Sequence, residues 1–257
     1  MKSIDILGVR VDDVTNDDVL ALVDGYVASR QPHQIITLNP EMLVAACDDP
    51  GLRQLLNSAD LNVADGVGLT MAARWLGHPL RERVTGSDGI YRLSEHCARM
   101  GYHPFFLGAA SGVAEVVAGR LSARYPGLEA AGAYAGSPRS EDEDDVVFRV
   151  RTAAPDLLFV AYGVPAEERW IARNRERLAV PVMIGVGGAF DFVAGVARRA
   201  PSWMRRAGLE WLHRLIHQPW RWRRQRALIR FVALVLRSKL SSAAGRSAVG
   251  DRFGRSG

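Results

Sequence analysis

The sequence predicts an α/β protein: a Rossmann-like, mostly parallel sheet with covering helices, followed by a helical C-terminal appendage rich in arginine and tryptophan. Three observations carry this. Over residues 1–197, short apolar runs alternate with helix-period segments, the pattern of parallel strands joined by crossover helices. Small or polar residues cluster where those runs end, at Thr37-Leu38-Asn39, Asp65-Gly66, Gly108, Gly163 and Gly187-Gly188. Charge also divides the chain: residues 1–197 carry a net −8 and residues 198–257 a net +13, giving +5 overall.

The elements follow in order. Ile4 to Val9 reads as a strand. Thr15 to Ser29 reads as a helix, with Thr15 and Asp18 spaced as a capping box. Gln34 to Leu38 is a short apolar strand ending at Asn39-Pro40, and helices follow near Pro40–Cys47 and Pro50–Ser58. Leu61 to Ala64 is a strand broken by Asp65-Gly66, and Val67 to Leu76 is helical. Ser87 is expected to cap a helix running to about Met100. Pro104 to Leu107 is a strand, Gly108 to Gly112 a small-residue loop, and Ala114 to Tyr125 a helix. Leu157 to Ala161 reads as a buried strand. Pro165, suited to a helix's first turn, opens a helix to Leu178. Val182 to Val186 is a last strand, leading into Gly187-Gly188.

Composition narrows the class. With 257 residues and 48% hydrophobic content, the chain can bury a sizeable core. Its two cysteines, Cys47 and Cys97, are too few for a disulfide framework and fit a reducing compartment. The N-terminus has no apolar stretch of secretory type. No run reaches the roughly 18–20 apolar residues that span a bilayer. A cytoplasmic protein, able to sit on the inner face of the membrane, is expected. The domains are expected at 1–197 (catalytic α/β), 198–240 (basic, membrane-proximal, helical) and 241–257 (a disordered Ser/Gly/Arg-rich tail).

The appendage explains the expected membrane contact. Residues 198–240 hold four of the six tryptophans, Trp203, Trp211, Trp220 and Trp222. Tryptophan favours the bilayer interface, and basic groups near anionic lipid contribute about 1 kcal/mol each. Ala227 to Leu236 is apolar apart from Arg230, too short to span and suited to a surface-lying helix. Arg214, Arg221 and Arg224 fall at helical offsets, although Pro219 interrupts that helix. Guanidinium groups suit phosphate oxygens. Arginines among aromatics also bind single-stranded nucleic acid, so a non-enzymatic nucleic-acid-binding protein competes.

In a parallel sheet, ligands bind beyond the carboxyl ends of the strands. Asp65 there could take a proton from a sugar hydroxyl, although Asp-Gly is also a common turn. Thr37 and Asn39 could hydrogen-bond a sugar or phosphate, although Asn39-Pro40 also opens a helix. Gly108 to Gly112 could hold a diphosphate on backbone N–H groups, as many βα turns could. Gly185-Val186-Gly187-Gly188 lacks a third glycine, since Phe190 stands in its place, which disfavours a nicotinamide dehydrogenase. Asp142-Glu143-Asp144 formally matches a metal-holding pattern but lies in a solvated acidic run. Glu210, His213 and His217 have helical metal-ligand spacing without a further ligand, so no metal is expected.

Several segments taken together are more specific. They are Thr37-Leu38-Asn39-Pro40-Glu41, Ala64-Asp65-Gly66-Val67-Gly68, Glu82-Arg83-Val84-Thr85-Gly86 and Phe106-Leu107-Gly108. They continue with Gly163-Val164-Pro165-Ala166-Glu167-Glu168, Gly185 to Asp191, Arg199-Ala200-Pro201 and Gly208 to Leu215. In this order and spacing, across about residues 4–226, the chain resembles the WecG/TagA/CpsF glycosyltransferases. The resemblance implies an inverting transfer that needs no metal or cofactor. The donor would be a uridine diphosphate sugar, N-acetylmannosamine or its uronic acid. The acceptor would be N-acetylglucosamine on undecaprenyl diphosphate, and the products cell-surface polysaccharides such as teichoic acid. Glucosyl or glucuronosyl transfer in exopolysaccharide assembly is the alternative.

The resemblance also implies roles. The aspartate matching Asp65 is the base, and Thr37 and Asn39 line its pocket. Arg83, Gly108 and Asp191 stand in matched segments and are expected at the substrate. Arg214, Arg221 and Arg224 are expected to close over the site and meet diphosphate and membrane. A homo-oligomer is compatible with the pattern, and nucleic acid is not an expected partner. One departure stands out: the family usually reads Pro-Lys-Gln-Glu where this chain has Pro165-Ala166-Glu167-Glu168. Glu167 is expected to meet a sugar hydroxyl or amide, or else to mark a different donor, because a carboxylate would repel a diphosphate.

Overall fold

The computed structural model describes residues 1–201, 203–204, 210–217 and 226–240. Strand β1 (Ser3–Ile6) and β2 (Val9–Asp12) form an antiparallel hairpin. They are followed by α1 (Asn16–Ser29), β3 (His33–Leu38), α2 (Pro40–Asp48), α3 (Pro50–Ser58) and β4 (Leu61–Ala64). Next come α4 (Val67–Trp75), α5 (Gly86–Met100), β5 (Pro104–Gly108), α6 (Val113–Arg124) and β6 (Gly132–Tyr134). The body ends with α7 (Glu143–Ala153), β7 (Leu157–Ala161), α8 (Ala166–Leu178), β8 (Val182–Gly185) and α9 (Ala189–Val193). Two further helices are α10 (Glu210–His217) and α11 (226–240).

Strands β3 to β8 form one parallel sheet in the order β4-β3-β8-β7-β5-β6. Its inner strands are buried on both faces, which is why their sequences read as unbroken apolar runs. Successive side chains point to opposite faces. Ile35, Phe106 and Phe159 therefore meet α1, α5, α6 and α9 on one side. Leu107, Leu158 and Val160 pack on α7 and α8, and Ile36 and Leu38 on α2, α3 and α4, on the other. The α/β class with a parallel sheet is thus present as expected.

Two local expectations need correction, and one strand was not foreseen. The single strand Ile4–Val9 is a hairpin, turned by Leu7 (φ 57°) and Gly8 (φ 82°). Two positive-φ residues match the twist of a two-residue hairpin, but leucine there gives no sequence signal. The hairpin covers the sheet edge: the Asn62 N–H of β4 donates to Asp12 Oδ2 at 2.8 Å. The cap of α5 is Thr85 rather than Ser87, its Oγ1 accepting from the Asp88 N–H at 3.2 Å. Strand β6 was not foreseen; its three half-buried residues are too few to show a pattern.

The capping box of α1 is formed as the spacing predicts, with Thr15 and Asp18 bonding each other's backbone. Helix α11 lies on the body, with Phe231 and Val235 buried among residues of the hairpin, α2, α3 and α4. Arg230 pairs with Asp48 at the end of α2. The expected disordered tail, 241–257, lies outside the described residues.

Candidate active site

The sheet topology sets where a site can be. From β5 the chain crosses by α6 to β6, toward one edge, while from β7 it crosses by α8 to β8, toward the other. Helices α6 and α8 lie on opposite faces. The order therefore reverses between β5 and β7, and the crevice at such a reversal opens beyond the strands' carboxyl ends. Across those ends stand, in spatial order, Asp65 after β4, Asn39 after β3, Gly187 after β8, Gly163 after β7 and Gly108 closing β5.

Asp65 and Thr37 lie close together. Thr37 pairs in register with Val63, two residues before Asp65, and the Asp65 N–H donates to Leu38 O at 2.7 Å. Thr37 is 7% exposed, and its Oγ1 donates to Gly185 O at 3.2 Å. Gly86, the first residue of α5, completes the group: its N–H donates to Asp65 Oδ2 at 3.4 Å. A Cβ on Gly86 would stand 3.2 Å from Thr37 Oγ1, so any larger residue would crowd the threonine. Asp65 thus sits half-buried beside the N-terminus of α5.

Asn39 is the N-cap of α2, its Oδ1 accepting from the Met42 N–H at 3.0 Å. Gly108 has φ +111°, and a Cβ there would lie 2.7 Å from Ala161 C and O. The strand ends touch at this point, so glycine is required for close approach of backbone. The following turn leads into α6, whose N-cap Gly112 provides no side-chain cap. Asp191 lies half-buried in the first turn of α9.

Glu167 is placed differently from a sugar-contacting side chain. It has no exposed surface. Its Oε2 accepts from the Gly163 N–H at 2.8 Å and its Oε1 from the Gly187 N–H at 2.9 Å. Burial, and Glu168 beside it, push its carboxyl well above the usual range against the pull of these N–H groups. Glu168 is 1% exposed, and burial pushes it up to about 7. Neither Glu168 oxygen has a hydrogen-bond partner among the described residues.

Arg83 lines a polar cleft of about 490 Å³ together with Tyr91, Arg92, Arg124 and Arg199. A narrow apolar crevice lined by Asn16 and Arg92 as well as Thr37 and Gly86 adjoins it. Sequence reasoning did not single out Gly86, Arg92 or Arg124. Gly86 could have been found, since it ends the matched segment Glu82–Gly86, but isolated surface arginines carry no signal. Arg221 and Arg224 lie outside the described residues, and Arg214 falls on α10.

Among the described residues, no group of acidic, histidine or cysteine side chains could hold a metal ion. The acidic run meets arginines instead: Glu143 pairs with Arg173 at 3.0 Å, and Asp144 with Arg177. No described helix is long and apolar enough to cross a membrane.

A sequence model described as the glycosyl transferase WecG/TagA/CpsF family matches residues 4–245. A Bacillus spizizenii protein named N-acetylglucosaminyldiphosphoundecaprenol N-acetyl-beta-D-mannosaminyltransferase is 34% identical over 233 residues, covering 91% of this chain and 90% of that protein. A Bacillus subtilis protein of the same name is 34% identical, covering 83% of each. One from Staphylococcus aureus (strain NCTC 8325) is 33% identical, covering 83% of this chain and 84% of its own.

Proposed function

The chain belongs to the WecG/TagA/CpsF glycosyltransferase family, and on that premise we propose that it moves an N-acetylmannosamine-type sugar from a uridine diphosphate donor to a polyprenyl-diphosphate-linked N-acetylglucosamine, with Asp65 as the base. The observation that carries the residue assignment is the grouping of Asp65 and Thr37, at adjoining strand ends, with Gly86 at the start of α5.

In this reading, Asp65 takes the proton of the acceptor hydroxyl as its oxygen attacks the anomeric carbon. The bond from that carbon to the donor phosphate breaks, and the electron pair leaves with the uridine diphosphate. Attack opposite the leaving group inverts the anomeric centre. Positioned base catalysis of this kind contributes about 10²–10⁴ in rate. The Gly86 N–H donates to that carboxylate, and Thr37, bonded to Gly185 O, stands beside Gly86. The leaving diphosphate needs a positive field. The uncapped N-terminus of α6 and the arginines of the C-terminal region, Arg214, Arg221 and Arg224 among them, would supply it.

Glu167 serves the site through its turns, by fixing Gly163 and Gly187 beside the crevice. Its place in the buried scaffold supports leaving the donor in the family's usual class. A panel of uridine diphosphate sugars, offered with a lipid-linked N-acetylglucosamine acceptor, tests this. Preferential transfer of N-acetylmannosamine is expected, and transfer of glucose or glucuronate alone would replace that donor.

The C-terminal region, from about residue 198, is proposed to meet the membrane surface where the acceptor resides. Helix α11 supports this: Ile229, Val232, Leu236 and Leu240 are exposed in one stripe beside its buried face.

A further inference from the structure

We propose that the cleft between α1, α5 and α6 is a diphosphate-binding subsite, with Arg92, Arg124 and Arg199 as its positive wall. The cleft holds about 490 Å³, within the range of small-molecule sites. Four arginines line it against two carboxylates, Glu82 and Asp88. Both acids are engaged by neighbours: Glu82 accepts from the Asn16 N–H at 2.7 Å and from its side-chain amide. Asp88 accepts from Thr85 Oγ1 at 2.9 Å and from Arg199 Nη2 at 2.6 Å. By count of its described lining, the cleft carries two more positive than negative side chains.

The three arginines are differently held, and each leaves capacity for an anion. Arg92, exposed on α5, makes no hydrogen bond or ion pair among the described residues. The Arg124 guanidinium lies 5.3 Å from the Tyr91 ring centroid and 5.5 Å from that of Tyr125, while its Nε donates to the Tyr125 hydroxyl at 3.2 Å. Aromatic rings fix such a group without neutralising it. Arg199 has a buried Nε with no partner among the described residues, although its Nη2 is paired. A planar fork with unused donors suits phosphate oxygens.

The cleft favours the charged part of a ligand over an aromatic base, because Arg124 already covers Tyr91. Asn16 and Arg92 also line the narrow crevice that reaches Thr37 and Gly86, so the cleft adjoins the proposed reaction site. The diphosphate of either substrate is the chemistry that would arrive there. Only this choice of source rests on the transferase reading.

Calorimetry of the full chain with inorganic diphosphate tests the subsite without needing turnover. Arg92 and Arg124 are exposed, so Arg92→Ala/Arg124→Ala leaves no core cavity, which an unchanged melting temperature would verify. The double variant is expected to bind diphosphate more than about tenfold more weakly, the scale of lost hydrogen bonds to a charged group. Arg149→Ala, which removes an exposed arginine of α7 on the other face of the sheet, is expected to bind as wild type does. So is Asp65→Asn, even if it transfers no sugar, which separates failure of the subsite from failure of the transferase reading. Repeating the titration with uridine diphosphate and with a short prenyl diphosphate assigns the source, by which of the two the double variant binds more weakly. Wild-type affinity in the double variant, equal loss in Arg149→Ala, or no diphosphate binding by the wild type would overturn the proposal.

Discussion

The Oε1 atom of Glu167 accepts the Gly187 N–H at 2.9 Å, while the other oxygen of the same carboxyl holds Gly163. One fully buried side chain thus ties the turn after β7 to the turn after β8, at the mouth of the crevice. The Glu167 carboxyl accepts at both oxygens, whereas an amide offers one acceptor oxygen and places an NH₂ against the second N–H. Glu167→Ala is expected to lower stability by about 1–3 kcal/mol, the cost of leaving buried donors unpaired, and Glu167→Gln by less. Chemical denaturation of the three proteins checks this order. Equal stabilities would show that the tie contributes nothing.

Glu168 gives a pH dependence with a defined sign. Its carboxyl titrates at about 7 in the folded protein and near 4.5 when unperturbed. Between those values the native state keeps a proton that the unfolded state has released. Stability therefore falls as pH rises from about 4.5 to about 7, and this contribution levels off above. Glu168→Gln cannot titrate, so its melting temperature is expected to fall less across that window. Parallel melting curves from pH 4.5 to 8 measure the difference, and identical slopes would contradict the assignment.

Helix α11 carries the membrane proposal. Phe231 and Val235 face the body, so charges placed at Ile229 and Leu236 should spare the fold. Ile229→Asp/Leu236→Asp is expected to weaken binding to vesicles containing anionic phospholipid by at least about tenfold, from the apolar area lost. Co-sedimentation with vesicles reads this directly. Unchanged binding would remove α11 from the membrane contact.

Much of the fold was legible because doubly covered parallel strands write themselves as apolar runs. The inner strands at Gln34–Leu38 and Leu157–Ala161 are examples. The hairpin at Leu7-Gly8 was hidden because its turn lacks the usual Asn-Gly pair, and β6 because it spans three residues. In the site, Asp65 and Thr37 were legible as polar residues at strand ends. Gly86 was visible only as the end of the matched segment Glu82–Gly86; its place against Thr37 was not, since the 3.2 Å that a Cβ would leave there is set by tertiary packing. Glu167 read as a ligand contact because the sequence cannot show that its two oxygens are taken by Gly163 and Gly187.

Asp65→Asn tests the central claim most directly. The substitution keeps the shape and removes the base, so folding should be unchanged by circular dichroism and melting. Transfer from the uridine diphosphate sugar to the lipid-linked acceptor is expected to fall by about 10²–10⁴ in kcat. A well-folded Asp65→Asn enzyme with near-wild-type kcat would contradict the assignment of Asp65 as the base.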